Sequence, residues 1–155
     1  PPGIEVRLEI PTDLGVPPDR PRLQQAFLNL IGNAFEAMGE YGELRIEAQR
    51  HVAGSAEAAT FPVFSGACRA GSTVVDLTIT DSGPGIPEAL LARLFDPFFT
   101  TKPVGQGSGL GLFIVHQIVE EHGGCISVAN RPEGGASSTL SWKNCQSLRS
   151  YKNVT

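Results

Sequence analysis

The sequence has no run of apolar residues approaching the ~18 that a membrane-crossing helix needs. Its first ten residues, Pro1 to Ile10, carry none of the features of a secretory signal peptide. No lysine and arginine cluster occurs and the net charge is −4, so the electrostatic footprint of a nucleic-acid binder is missing and no membrane contact is expected. Cysteines are few: Cys68, Cys125 and Cys145 are odd in number, widely separated and without a CxxC pair. That pattern argues against a zinc site or disulfide framework and predicts reduced thiols in a cytoplasmic protein. Glycine and proline, at 18 and 12 residues, are abundant instead and predict many or long loops. A length of 155 residues with 41% apolar content fits one domain with a real core.

The chain is organised around Asp81-Ser82-Gly83-Pro84-Gly85-Ile86-Pro87. It follows Thr73 to Thr80, whose alternating Val75, Leu77 and Ile79 predict a strand that presents Asp81 at its tip. Gly83 and Gly85 permit backbone angles and close approaches that a side chain would block. Asp, Ser, Gly and Pro are also the ordinary turn residues, so this stretch alone reads first as a turn with an Asp in it. Its weight comes from what flanks it. On the N-terminal side, Ile4 to Ile10 alternates as a half-buried strand, and Arg22 to Met38 is a helix with Leu23, Phe27, Leu30, Ile31, Ala34 and Met38 on one face. The opposite face carries Asn29 and Asn33, four apart, so their amides stand one turn above the other. Asn is a poor helix former in mid-helix. The pair is either an ordinary wet face or two amide oxygens offered to a hard cation or polar ligand, since oxygen is what Mg²⁺ selects.

Leu44, Ile46 and Ala48 alternate as a further strand, and residues 51–71, rich in Ala, Gly and Ser, read as a long hairpin loop. Glu88 to Leu94 predicts a short helix, with Pro87 at its first position. Phe95-Asp96-Pro97-Phe98-Phe99 packs three aromatics into five residues, which singly read as core plugs. Thr100 to Ser108 is aperiodic and reads as a loop able to open and close. Gly105, Gly107, Gly109 and Gly111 then run into an apolar helix from Leu110 to His122. Free backbone N–H groups and the helix dipole make such a start an anion site. The spacing fits neither GxxxxGK[ST] nor GxGxxG. Strands at Ile126–Val128 and Ser138–Trp142 close the pattern.

Four stretches in this order resemble one family. Asn29-Leu30-Ile31-Gly32-Asn33-Ala34 is similar to the N box, and Asp81-Ser82-Gly83-Pro84-Gly85 to the first glycine box, of the ATP-binding catalytic domain of two-component sensor histidine kinases. Phe95-Asp96-Pro97-Phe98-Phe99 is similar to the F box, and Gly107-Ser108-Gly109-Leu110-Gly111-Leu112 to the second glycine box. The wider superfamily includes gyrase, Hsp90 and MutL. The resemblance implies a two-layer α/β (α+β) sandwich of the Bergerat type: a mixed, mostly antiparallel sheet of about five strands with about three helices on one face. It places this catalytic domain at 1–143 and a polar C-terminal tail at 144–155. It implies ATP and Mg²⁺ as cofactors. Asp81 would accept from the adenine amino group, with Gly83, Gly85 and Ile86 beside it. Asn33 would ligate Mg²⁺ with Asn29 assisting. Phe95 and Phe98 would seat a lid carrying Thr101 and the phosphate contact Lys102, and Gly107, Ser108, Gly109, Leu110, Gly111 and Leu112 would cradle phosphates. Asn29, Asn33 and Lys102 would thereby be the catalytic set.

Departures qualify this. Glu36 stands where many relatives carry a basic residue, and Gly135-Ala136-Ser137-Ser138 lacks the Phe of the usual late glycine motif. None of His51, His116 and His122 has the acidic residue and nearby Pro that follow the family's phosphoacceptor His. The implied partner is therefore a separate dimerisation and phosphoacceptor hairpin of the parent kinase, with a response regulator downstream, in the cytoplasm whether or not the parent is membrane-anchored. The alternatives are an ATPase of the same superfamily or a nucleotide-sensing scaffold without kinase activity. Against the ATPase, the position where such enzymes carry a water-activating Glu is Asn29, which cannot act as a base.

Overall fold

In the computed structural model the described residues are 3–11, 14, 20–52, 63–66, 73–99 and 111–143. The strands are β1 (Ile4–Glu9), β2 (Gly42–Val52), β3 (Val63–Gly66), β4 (Thr73–Asp81), β5 (Cys125–Asn130) and β6 (Ala136–Lys143). The helices are α1 (Arg20–Met38), α2 (Glu88–Leu91) and α3 (Gly111–Glu121). All six strands form one sheet in the order β1-β2-β4-β6-β5-β3. Among the described residues only β1 and β2 pair in parallel; the other ladders are antiparallel.

Alternation sorts the two faces of this sheet. Ile46, Ile79 and Ser138 stand in register across β2, β4 and β6, as do Ala48, Leu77 and Leu140. The buried members of these rows join Leu23, Ala26, Leu30 and Ala34 of α1 and Val115, Ile118 and Val119 of α3 in one core. The opposite face is polar, with Thr78 and Thr139 hydroxyls 3.1 Å apart and Thr80 and Ser137 hydroxyls 3.3 Å apart. The described residues therefore form two layers, with α1 and α3 packed on one face of the sheet. Arg22 of α1 grips both carboxylate oxygens of Glu121 on α3, at 2.8 and 2.7 Å, tying the two long helices together. A second, smaller cluster of Leu91, Leu94 and Val128 seats α2 and the turn after it.

The sheet has one strand more than expected. Residues 51–71 are not simply a loop: β2 runs on through Val52, and β3 lies inside the stretch, pairing antiparallel with β5. Four residues are too few to show a period of two, and β3 is specified by a ladder to residues about sixty positions away rather than by local pattern. The half-buried strand expected at the N-terminus is in fact exposed. Val6 and Leu8 face the helix side, in register with buried Leu44 and Ile46, yet are 49% and 65% exposed. β1 is the edge strand and lies beyond the cover of α1. The short helix ends at Leu91 rather than Leu94, and a turn with Leu94 N donating to Leu91 O carries Leu94 into the small cluster. The expectation of reduced thiols fails at Cys125, which is disulfide-bonded, its partner lying outside the described residues. Sequence spacing does not report which thiols a fold brings together; Cys125 sits buried at the start of β5, opposite Gly66 of β3.

Candidate functional site

β4 is a central strand, paired on both sides, and it ends at Asp81, which is 8% exposed. Burying a carboxylate is costly unless it is hydrogen-bonded. One oxygen is well supplied: Oδ1 accepts from Gly83 N at 2.9 Å and from Ala136 N at 3.3 Å. Among the described residues no donor reaches Oδ2. The carboxylate is thus fixed through one oxygen and presents the other as an acceptor.

Three glycines make this approach possible. A Cβ on Gly135, whose φ is +87°, would stand 1.9 Å from the Asp81 main-chain oxygen. A Cβ on Gly83 would stand 3.0 Å from Asp81 Oδ1 and 3.2 Å from the Ala37 carbonyl of α1. Gly85, at φ +80°, faces Asn130. Gly83 therefore packs against the last turn of α1. Asn29, Asn33 and Ala37 recur every four residues on that helix, so the two half-buried amides form the ridge that leads to the glycine turn. Neither Asn side chain is hydrogen-bonded to another described residue.

Ser82 locks the other side of the turn. Its N–H donates to Glu43 O at 3.2 Å and its Oγ accepts from Glu43 N at 2.8 Å. From the β5–β6 hairpin, Arg131 Nη1 donates to the Asp81 carbonyl at 3.3 Å. The same guanidinium binds Glu133 at 2.6 Å, and that hydrogen bond holds the Glu133 carboxyl below its ordinary value. Asn130 pairs with both backbone groups of Ile86. Ser82, Asn130 and Arg131 were not identified as functional from sequence. A hairpin turn carries no periodic signal, and only the closure of the sheet brings it to Asp81.

Of the aromatics, Phe95 packs against both clusters and stacks on His116 of α3, ring centroids 5.7 Å apart. Phe98 does not pack in the core. Its backbone is left-handed, at φ 66°, and the ring is 74% exposed, while Phe99 turns inward beneath Arg93. Gly111 opens α3 with nothing within 4 Å of its Cβ position, and Leu112 packs against both clusters. Thr101, Lys102, Gly107, Ser108, Gly109 and Leu110 lie outside the described residues. The structure thus sets Gly83 of the turn after Asp81 against the last turn of the helix that carries Asn29 and Asn33, and packs Ile86, Phe95 and Leu112 against the small cluster that seats α2.

A central strand thus ends in a half-used carboxylate, one glycine turn from a helix that bears two half-buried asparagines. Residues 18–145 match the family of histidine kinase-, DNA gyrase B- and HSP90-like ATPases, and the chain belongs to that family. It is 39% identical over 122 residues to the sensor histidine kinase ZraS of Escherichia coli strain K12, covering 79% of this chain and 22% of that protein. It is 34% identical over 143 residues to sporulation kinase A of Bacillus subtilis strain 168, covering 90% of this chain and 20% of that protein. The catalytic domain of the histidine kinase ThkA superposes with a TM-score of 0.69 at 36% identity, covering 91% of this chain and 79% of that one. Full-length ShkA, in complex with AMPPNP, superposes with a TM-score of 0.64 at 26% identity, covering 92% of this chain and 26% of that one. The chain spans about a fifth of the length of the curated relatives named here. Among the described residues no helix is long and apolar enough to cross a membrane.

Alanine at Gly135 should lower stability by more than about 2 kcal/mol, because left-handed strain adds to the overlap with Asp81 O. Gly123→Ala shares the positive φ but meets nothing within 4 Å, and should lose only about 1–2 kcal/mol. Urea unfolding of the two variants measures the difference. Equal losses would mean that the hairpin does not constrain Asp81.

Proposed function

We propose that this domain binds ATP with Mg²⁺ and donates the γ-phosphoryl group to a histidine on a separate helical hairpin of the parent kinase, for relay to a response regulator. The observation that carries the reading is the half-satisfied Asp81 carboxylate at the end of the central strand, one glycine turn from the Asn29–Asn33 ridge. An acceptor-only group suits the amino edge of adenine, whereas guanine presents a carbonyl there. Asn33 and Asn29 supply neutral oxygen donors. Among the described residues no group of three or more His, Cys, Asp or Glu could hold a metal unaided. One or two protein oxygens plus phosphates is the way Mg²⁺ is ordinarily bound, and the amide ridge fits it. When bound, the ion neutralises phosphate charge. Asn33 would orient it, Asn29 stands one turn earlier, and the start of a helix that follows the glycine run would offer backbone N–H groups to phosphate. The roles of Thr101, Lys102, Gly107, Ser108, Gly109 and Leu110 as phosphate contacts on a lid belong to this proposal. So do the domain limits at 1–143 and a cytoplasmic location, which follows from the supply of ATP and not from the thiols.

Replacing Asp81 by Asn should weaken ATP binding by roughly 1–3 kcal/mol. The amide oxygen keeps the bonds from Gly83 and Ala136, so the NH₂ takes the open position and meets the adenine amino group donor to donor. GTP, whose carbonyl would then face a donor instead of a carboxylate oxygen, should not weaken, and the ATP-to-GTP preference should shrink. Calorimetry with both nucleotides checks this, and unchanged ATP affinity removes Asp81 from the site.

Asn33→Ala should make ATP binding less dependent on Mg²⁺ than it is in the wild type. Titrations with and without the ion decide between an amide ligand and a merely wet helix face.

Phosphoryl transfer requires alignment and charge neutralisation more than covalent chemistry from the enzyme. With γ-labelled ATP and Mg²⁺, the chain alone should stay unlabelled, while the parent's hairpin added in trans should gain acid-labile, base-stable label. The rate should be slow and rise with hairpin concentration, since the effective concentration of a tether is lost. Label on the chain itself would point to His51, His116 or His122. An unlabelled hairpin despite ATP binding would favour a nucleotide-sensing role.

A further inference from the structure

The β5–β6 hairpin contains none of the four motif stretches, yet it holds the Asp81–Ile86 segment at both ends. At the Asp81 end the holders are Ala136 N and Arg131. At the far end Asn130 Oδ1 accepts from Ile86 N at 2.8 Å and Nδ2 donates to Ile86 O at 2.6 Å. A carboxamide has one acceptor and one donor side, so this two-way pairing imitates a β-bridge with a single side chain. Its orientation is dictated by the backbone, since a flipped amide would set donor against donor and acceptor against acceptor. Gly85 makes room for it: at φ +80° it is left-handed, and a Cβ there would stand 2.9 Å from Asn130 Oδ1. Among the described residues no other hydrogen bond holds Gly85 or Ile86. Without this pairing, hydrogen bonds would hold Gly83 to Ile86, with two glycines in four residues, only at its Asp81 end, and the far end would rest on the packing of the Ile86 side chain against the Leu91–Leu94–Val128 cluster.

We propose that Asn130 is a positioning residue for base recognition: by clamping Ile86 it fixes the Gly83–Ile86 turn relative to the free oxygen of Asp81, and so sets the preference for adenine. This rests on the reading of Asp81 as the acceptor of the adenine amino group and extends it to a residue outside the family motifs. With the clamp in place, the carboxylate and the turn present one fixed plane to a base. Without it the turn shifts, the amino group loses its alignment with Asp81, and a base with a carbonyl in that place is penalised no more than before.

The test is ATP and ITP affinity, by calorimetry, of the wild type, Asn130→Ala and Asn130→Asp, together with amide exchange of Ile86 in the nucleotide-free domain. ITP carries a carbonyl where ATP carries the amino group. In Asn130→Ala, the Ile86 amide should exchange faster, ATP should weaken on the order of fivefold, and ITP by less than about twofold. Asn130→Asp keeps an acceptor for Ile86 N but sets a carboxylate oxygen against Ile86 O, so it should lose ATP preference at least as far. It also carries the test if the alanine variant does not fold. Equal weakening of ATP and ITP would mean a general structural role and overturn the proposal. So would unchanged ATP affinity with Ile86 exchanging freely. A wild type that binds neither nucleotide would instead overturn the nucleotide reading itself.

Discussion

The close approach of the β5–β6 hairpin to the end of β4 is the constraint on which the candidate site depends. Gly135 comes so near the Asp81 carbonyl that no side chain fits between them. Only with that gap closed can Ala136 N reach Oδ1 and the Arg131 guanidinium reach the main-chain oxygen. The hairpin thereby supplies a buried carboxylate with donors and stiffens the turn that follows. It also decides which of the two carboxylate oxygens is left over.

The helix layer serves the site through the two sides of α1. One side, Leu23, Ala26, Leu30 and Ala34, is consumed by the core. The neighbouring ridge of Asn29, Asn33 and Ala37 runs to the glycine turn, where Gly83 lies against the Ala37 carbonyl. Two asparagines of weak mid-helix propensity thus stand on the ridge that leads to that turn. The Arg22–Glu121 pair is exposed and contributes little stability, but it links the ends of α1 and α3 and so the two helices that flank the site.

Much of this was legible in the residues themselves. The alternating runs of β1, β2 and β4 and the three-and-four spacing of α1 mark their elements, because in each the apolar face is written locally. Asp81 and the asparagine pair were legible as oddities: a carboxylate at a strand tip, and amides where a helix disfavours them. What escaped depends on long-range closure. β3 is too short to show a period and exists by pairing with β5. Asn130 and Arg131 look like any polar residues in a hairpin and acquire meaning only across forty-four and fifty positions of sequence. The exposure of Val6 and Leu8 could not be read, since alternation reports a face and not whether another layer covers it. Phe98 is similar: aromatic content suggested a plug, but its left-handed backbone turns the ring outward.

The position of β4 in the sheet has a consequence for how the domain would come apart. Strands flanked on both sides open only when the whole sheet does, whereas short segments seated on small clusters open alone. Asp81 belongs to the first kind, with β2 on one side and β6 on the other. The single turn of α2 and the Leu91–Leu94–Val128 cluster beneath it belong to the second. Asp81 is thus built into the last part of the protein to melt, while α2 and the turn after it are hung from a smaller support that can yield as the end of β4 keeps its shape.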